Sequence, residues 1–171
     1  MTLSFVINSK QRTTGKAKGA YSYYIKLSTK QGIKILYNKT LFLNISDLKQ
    51  SGLWKGAVKE YNLLNKLADS NLCPKPIEVI PVFCETTQSY YPGLKMEHIS
   101  GQALSWHLSQ NPNYSFKLND SNYLAHELQR YLENKIQSYG IKHRDLHFGN
   151  ILISKSGVVK VIDFGLAHKL K

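Results

Sequence analysis

No aspartate or glutamate occurs before Asp47, although that stretch holds Lys10, Arg12, Lys16, Lys18, Lys26, Lys30, Lys34 and Lys39. The formal net charge of +12 is therefore unevenly spread. Such a basic half can meet nucleotide phosphates, an acidic protein, nucleic acid or a membrane surface, or it can stand as a solvated face. Nucleic acid is not expected as the main ligand, because no zinc spacing or nucleic-acid motif accompanies the charge. Cysteine is scarce. Cys73 and Cys84 form no C-x-x-C, which suits two thiols near a core in a reducing compartment. No apolar run is long enough to span a membrane, so no membrane span is expected. The opening MTLSFVINSKQRTTGK has no basic stretch followed by an apolar one, so it does not read as a secretory signal. The expected location is the cytoplasm. Repeats and low-complexity tracts are absent too. A chain of 171 residues, 42% hydrophobic, is long enough for one domain, or for two small lobes sharing a cleft.

What the chain does have is concentrated near its end, in His143–Gly165, HRDLHFGNILISKSGVVKVIDFG. Apolar spacing predicts two short strands, Ile151–Ile153 and Val158–Ile162, joined by a turn at Ser154–Gly157. Asp145 and Asn150 then lie on a loop before a hairpin, and Asp163 lies just after it. Three oxygen-bearing side chains can converge on one mouth. The spacing suits phosphoryl transfer. Mg²⁺ is a hard cation, held by one or two protein oxygens together with nucleotide phosphates. Asn150 and Asp163 are the expected metal ligands. Asp145 is the expected acceptor, or orienter, of the proton of an attacking hydroxyl.

His143-Arg144-Asp145 with Asn150, followed by Asp163-Phe164-Gly165, resembles the catalytic loop and DFG of the protein-kinase-like superfamily. Either fragment alone would match weakly. Both in order, with a hairpin between, carry the resemblance. It implies an α+β, bilobal fold with an antiparallel β N-lobe and a reduced helical C-lobe. It also implies ATP and Mg²⁺ as cofactors.

The N-terminal half fits that frame. Leu3–Ile7, Ala20–Leu27 and Ile33–Tyr37 are β-prone, as in an antiparallel meander, and Asn8–Gly19 reads as a polar loop. In the family, the loop between the first two strands covers the ATP phosphates. Here it would be GKAKGAYS, in which only Gly15 and Gly19 remain of G-x-G-x-x-G. An ordinary hairpin loop is the competing reading, and Lys16 and Lys18 could supplement phosphate contacts. The resemblance assigns Lys34, inside the third strand, as the lysine that pairs with the α/β-phosphates; Lys26 is its rival. Leu53–Ala68 has helical apolar spacing, and its one acid, Glu60, is the expected partner of Lys34. The Asn38–Gly52 segment is expected to add a strand or turn at Leu41–Ile45.

Ile77–Phe83 and Gly93–Glu97 read as two further strands, giving a five-stranded sheet. Met-Glu relaxing into His98-Ile99-Ser100-Gly101 is similar to the kinase hinge. Adenine would meet the Glu97 carbonyl and the Ile99 amide, with Met96 as gatekeeper. The expected domains are 1–99, an N-lobe of sheet plus αC-like helix, and 100–171, a minimal C-lobe with catalytic loop and DFG. In the second, Leu104–Leu108 reads as a short helix and Asn111–Asn119 as loop. Asp120 or Ser121 can cap a helix running to about Tyr139, ended by Gly140.

Two departures stand out. The chain stops six residues after Gly165, before any activation segment, so the expectation is a naturally minimal kinase or a fragment. The minimal form is expected in bacterial effectors or phages, which would place it in a host's cytoplasm. And Asp145-Leu146-His147-Phe148-Gly149-Asn150 looks more like the D-L-H-x-G-N of aminoglycoside- and choline-kinase-like enzymes. His147 could meet the γ-phosphate, orient Asp145, or be structural. Three functions compete: a minimal serine/threonine-type protein kinase directed at itself or a partner, a small-molecule, sugar or lipid kinase, and a binding protein on a kinase scaffold. The expected partners are a nucleotide and a protein substrate or activator, the latter acidic.

Overall fold

The computed structural model describes residues 3–5, 14–17, 20–28, 30–37, 39–118 and 120–170. They form two units: Met1–Tyr61 with Pro76–His98, and Asn62–Lys75 with Ile99–Lys171.

The first unit is built on strands β1 (Leu3–Phe5), β2 (Thr14–Ala17), β3 (Ala20–Lys26), β4 (Gln31–Tyr37), β5 (Pro76–Cys84) and β6 (Ser89–Glu97). Between β4 and β5 come helices α1 (Ile45–Gln50) and α2 (Gly52–Lys66). The strands form one sheet in the order β1-β5-β6-β4-β3-β2. The strands β3, β4, β6 and β5 pair antiparallel, as expected. The first strand does not begin that meander. It runs parallel to β5 at the far edge, Leu3 opposite Val82. Leu3 packs there against the cluster of Ile33, Ile35, Val82, Cys84 and Tyr91, and a crossover connection makes parallel pairing possible.

The polar stretch expected as a loop contributes a sixth strand. Thr14 faces Ser22 and Ala17 faces Ala20, with an irregularity between. The β2–β3 ladder is made of backbone bonds, so side-chain polarity does not report it.

The 41–45 stretch is neither strand nor turn of a sheet but the approach to α1. The Asn44 side chain accepts from the Asp47 N–H at 2.9 Å, an N-cap that satisfies one of the helix's orphan donors. Ser51 makes the corner into α2. Its hydroxyl donates to the Leu48 carbonyl at 2.6 Å and accepts from the Trp54 N–H at 3.1 Å. One side chain thus closes one helix and opens the next.

In the second unit, β7 (Gly101–Ala103) leads into α3 (Leu104–Gln110). Then come the hairpin β8 (Phe116–Leu118) and β9 (Ser121–Tyr123), α4 (Ala125–Ser138), β10 (Ile141–Lys142), β11 (Ile151–Ser154), β12 (Val159–Val161) and β13 (His168–Lys169). Neither Asp120 nor Ser121 caps α4. Both belong to the β8–β9 hairpin, in which Leu118 faces Ser121 and Asp120 adopts φ 62°. The helix starts later. The Glu127 carboxylate accepts from the Leu124 N–H at 2.9 Å, which leaves Leu124 exposed and puts Ala125, Leu128, Leu132 and Ile136 on the buried stripe. Gly140, at φ 69°, turns the chain out of the helix as expected.

Residues 62–75 are tied into the second unit by hydrogen bonds to β12. The Leu72 carbonyl accepts from the Val161 N–H at 2.7 Å. The buried Lys160 ammonium donates to Asn71 Oδ1 at 2.6 Å and to the Cys73 carbonyl at 3.2 Å.

β7, β11 and β12 form one small sheet, in which Gly101 faces Ser154. A Cβ on Gly101 would lie 2.5 Å from the Ile153 carbonyl oxygen, a backbone atom that cannot swing aside. Gly101→Ala should therefore open this pairing and cost about 2–3 kcal/mol, in the range for overpacking. Thermal unfolding checks it: the expected drop is about 5–10 °C for a domain of this size. An unchanged melting temperature would mean that β7 is not held in this register.

Candidate active site

β4 is buried on both faces along most of its length, yet carries a lysine in the middle. Lys34 stands between Ile33 and Ile35, 2% exposed. An ammonium can occupy such a place only if it is paired and hydrogen-bonded. Glu60 of α2, itself 2% exposed, supplies the partner: the ammonium lies 2.8 Å from both carboxylate oxygens. The rival Lys26, at the end of the β3–β4 ladder opposite Gly32, is exposed. Of the glycines singled out, Gly15 lies in β2 and Gly19 lies outside the described residues, as does Lys18. Glu97 ends β6, opposite Gln31, and Met96 is buried beside it. Ile99 opens the second unit and its carbonyl accepts from the Gly101 N–H at 3.1 Å.

In the second unit, backbone and side-chain bonds draw Asp145, Asn150 and Asp163 together. His143, 1% exposed, sits under them. Its Nδ1 accepts from the Asp145 N–H at 3.3 Å and its Nε2 lies 3.0 Å from the Ile162 carbonyl. A carbonyl only accepts, so Nε2 carries the proton and the ring is the neutral Nε2–H tautomer. The ring also packs edge-on against Phe164, with centroids 4.6 Å apart. Asn150 ties the loop a second time. Its Nδ2 donates to the Asp145 carbonyl at 2.9 Å, and its own carbonyl accepts from the Ile162 N–H at 2.9 Å. Asp145, through its own main chain, and Asp163, through the main chain of Ile162 before it, are thereby each tied to His143 and to Asn150. From α4, the Gln129 side chain donates to the Leu146 carbonyl at 2.7 Å.

Two residues of this loop adopt left-handed backbone, Arg144 at φ 70° and Asp163 at φ 64°. For residues other than glycine this costs of order 1–3 kcal/mol each and persists where surroundings over-determine it. Here the His143 and Asn150 bonds do so.

His147 was the residue with three possible roles. Its exposed ring accepts from the Gly149 N–H through Nδ1 at 3.0 Å, starting a short helical turn at Phe148–Asn150. The structural role is therefore present. With Nδ1 accepting, the hydrogen of the neutral ring is on Nε2. Residue 149 must be small for this: a Cβ there would lie 2.8 Å from His147 Cε1. His143 and Gln129 are the contributors that motif reading passed over. His143 stood in the motif but was given no task, and the Gln129 bond joins residues 17 apart in sequence.

The donor set fits a hard divalent cation. With Nδ2 of Asn150 committed to a carbonyl, Oδ1 is the atom that remains to coordinate, and Asp163 adds a carboxylate. Among the described residues no group of three or more His, Cys, Asp or Glu could hold a metal by itself. One carboxylate and one amide are what a Mg²⁺ ion sharing its coordination with phosphates requires.

The first unit thus carries a buried lysine–glutamate pair on a strand and a helix, and the second a braced His-Arg-Asp loop with an aspartate after a hairpin. The chain belongs to the protein kinase domain family, whose model matches residues 12–171. It is 33% identical over 124 residues to sperm motility kinase 2B of Mus musculus, covering 72% of this chain and 24% of that protein. It is 33% identical over 159 residues to cyclin-dependent kinase-like 2 of Oryctolagus cuniculus, covering 90% and 25%. A shorter match, 64% over 31 residues, joins it to the probable serine/threonine-protein kinase PknB of Bifidobacterium longum, covering 18% and 4%. The chain spans about a quarter of the length of the longer-matching relatives.

The Lys34–Glu60 pair generates a stability prediction independent of activity. Removing one partner of a buried pair strands the other charge and costs about 3–5 kcal/mol, whereas replacing both with apolar residues is near neutral. Glu60→Leu should lower the urea midpoint strongly, and Lys34→Met/Glu60→Leu should restore most of it. A double variant no more stable than Glu60→Leu would show that Lys34 is not desolvated as described.

Proposed function

We propose that this domain transfers the γ-phosphoryl group of ATP to a hydroxyl of a protein serine or threonine, with Mg²⁺ as the cofactor. The observation that carries the reading is the brace in which the His143 ring bonds the Asp145 N–H and the Ile162 carbonyl, while Asn150 bonds the Asp145 carbonyl and the Ile162 N–H. It supports three oxygen donors held at fixed mutual positions before any ligand arrives, and positioning is most of what phosphoryl transfer needs from a protein.

The roles divide between the units. In the first, the Lys34 ammonium, oriented by both oxygens of Glu60, binds the α- and β-phosphates. The backbone at Glu97 and Ile99 meets the adenine, and the β2–β3 hairpin with Gly15 covers the phosphates. In the second, Asp163 and the Oδ1 of Asn150 hold the metal, which when bound neutralises charge on the phosphate oxygens. Asp145 accepts the proton of the acceptor hydroxyl. The hydroxyl oxygen bonds to the γ-phosphorus, the bond from that phosphorus to the bridging oxygen breaks, and ADP leaves with the electron pair.

A second reading is favoured by one observation, the locked ring of His147. Its Nε2–H is a donor in the catalytic loop, which suits a small hydroxyl-bearing acceptor as well as a γ-phosphate. The acceptor would then be an amino-sugar or amino-alcohol.

The test combines binding and transfer. MgATP at a hundredfold excess over its Kd should stabilise the domain by about 2.7 kcal/mol, and Asp163→Ala should abolish the Mg²⁺-dependent part. Asp145→Asn should retain that stabilisation and lose transfer by about a hundredfold or more. Normal MgATP binding by Asp163→Ala would remove the metal assignment, and full transfer by Asp145→Asn would remove the base. Transfer to a serine/threonine peptide library, against transfer to amino-sugars and choline, separates the two acceptors.

A further inference from the structure

We propose that Gln129 of α4 is a positioning residue for phosphoryl transfer: its bond to the Leu146 carbonyl sets how His147 stands relative to Asp145. The inference rests on the function proposed above, in which Asp145 takes the proton of the acceptor hydroxyl. Two peptide planes separate the Asp145 and His147 Cα atoms, and each plane is rigid. The first carries the Asp145 carbonyl, which accepts from Asn150 Nδ2 at 2.9 Å. The second carries the Leu146 carbonyl, which accepts from the Gln129 side chain at 2.7 Å. Ahead of them the Asp145 N–H donates to His143 Nδ1 at 3.3 Å. Behind them the His147 carbonyl accepts from the Asn150 N–H at 2.9 Å. With every plane held, the side chains of Asp145 and His147 leave the loop in fixed directions. The other bonds of this series join residues of 143–162 to one another. The Gln129 bond comes from outside, from a helix.

The needs of the helix do not explain an amide at 129. α4 buries Ala125, Leu128, Leu132 and Ile136, and Gln129 stands beside that stripe, half-buried. Leucine or methionine would serve packing and helix propensity there equally well. What they lack is a donor for the Leu146 carbonyl. One turn earlier on the same face of α4, the His126 ring lies against Phe148, with centroids 4.9 Å apart. The helix thus holds the residues before and after His147. The His147 ring itself is exposed, with Nδ1 accepting from the Gly149 N–H at 3.0 Å. An exposed ring is aimed by the main chain that carries it rather than by packing, and the plane entering His147 is the one that Gln129 holds. The Nε2–H of that ring and the Asp145 carboxylate are the two groups whose spacing decides whether hydroxyl and γ-phosphate can be met together.

The experiment measures transfer from MgATP, by the whole chain, to the acceptors named above: the serine/threonine peptide library, amino-sugars and choline. Turnover at saturating MgATP and the Kd for MgATP are read separately, with thermal melts to verify folding. Gln129→Leu keeps the bulk and loses the donor. Gln129→Glu keeps the shape, has no N–H to donate, and replaces the first variant if leucine unfolds the chain. Turnover should fall about tenfold or more in either variant, as for a small misplacement of reacting groups, with the Kd for MgATP unchanged. His147→Ala supplies the second axis. Because Gln129 acts through His147, Gln129→Leu should cost about twofold at most when His147 is already alanine, whereas a residue that only supports the fold gives the same fall in both backgrounds. Unchanged turnover in Gln129→Leu, a fall accompanied by an equal rise in the Kd for MgATP, or equal falls with and without His147 would overturn the inference and leave the proposed function standing. No transfer by the wild type to any of these acceptors would overturn both.

Discussion

A buried lysine ammonium paired with a buried carboxylate is the constraint on which the first unit depends. β4 cannot lie buried on both faces with Lys34 in it unless Glu60 is delivered within 3 Å, at the 2.8 Å observed for both oxygens. That requirement fixes α2 against the sheet at Glu60. It also gives meaning to the Ser51 corner, which sets where α2 begins and hence where its ninth residue falls. A desolvated charge pair contributes little net stability and is costly to break. What it contributes here is position: an ammonium with two of its donors already aligned.

The second unit solves its equivalent problem without a charge pair. His143 is neutral and donates to one carbonyl while accepting from one amide, and Asn150 does the same with a side chain and a main chain. Between them they hold the strained backbone at Arg144 and Asp163. Neutral hydrogen bonds inside low dielectric are strong and directional, and they do not compete for a metal or for phosphate. The brace runs through the main chain of Asp145 and of Ile162, the residue before Asp163.

Much of this was legible in the sequence because it is local. His143 to Gly165 spans a loop, a hairpin and a second loop, and periodicity with turn residues places each of them. Glu60 was legible for a different reason: α2 contains one acid, so a buried lysine had one candidate there. The parts that stayed hidden are those in which backbone decides. β2 forms in a polar stretch, β8 and β9 close across Asp120, and β1 leaves the meander to run beside β5, all by ladder bonds that side chains do not announce. The start of α4 was misplaced because Asp120 and Ser121 look like caps, while the working device is Glu127 reaching back to Leu124. Asn44 with Asp47 was a readable cap for α1 in a stretch taken for strand or turn. The cavity beside α4 brings residues 72, 132 and 158 together and has no linear signature at all.

The positive surface follows from how few the acids are. Glu60 is buried against Lys34, Asp47 and Glu127 serve helix starts, and Glu78 is paired with Lys95. Asp145 and Asp163 belong to the proposed chemistry. Glu60 and Lys34 cancel inside the fold and Asp47, Glu78 and Glu127 are exposed, so the surface charge follows from the excess of 23 Lys and Arg over 11 Asp and Glu. Long-range attraction of this kind sets which ligands arrive and how fast more than how tightly they stay. In the proposed function a phosphate-rich nucleotide would benefit from it at Lys34, where Glu60 already holds the ammonium.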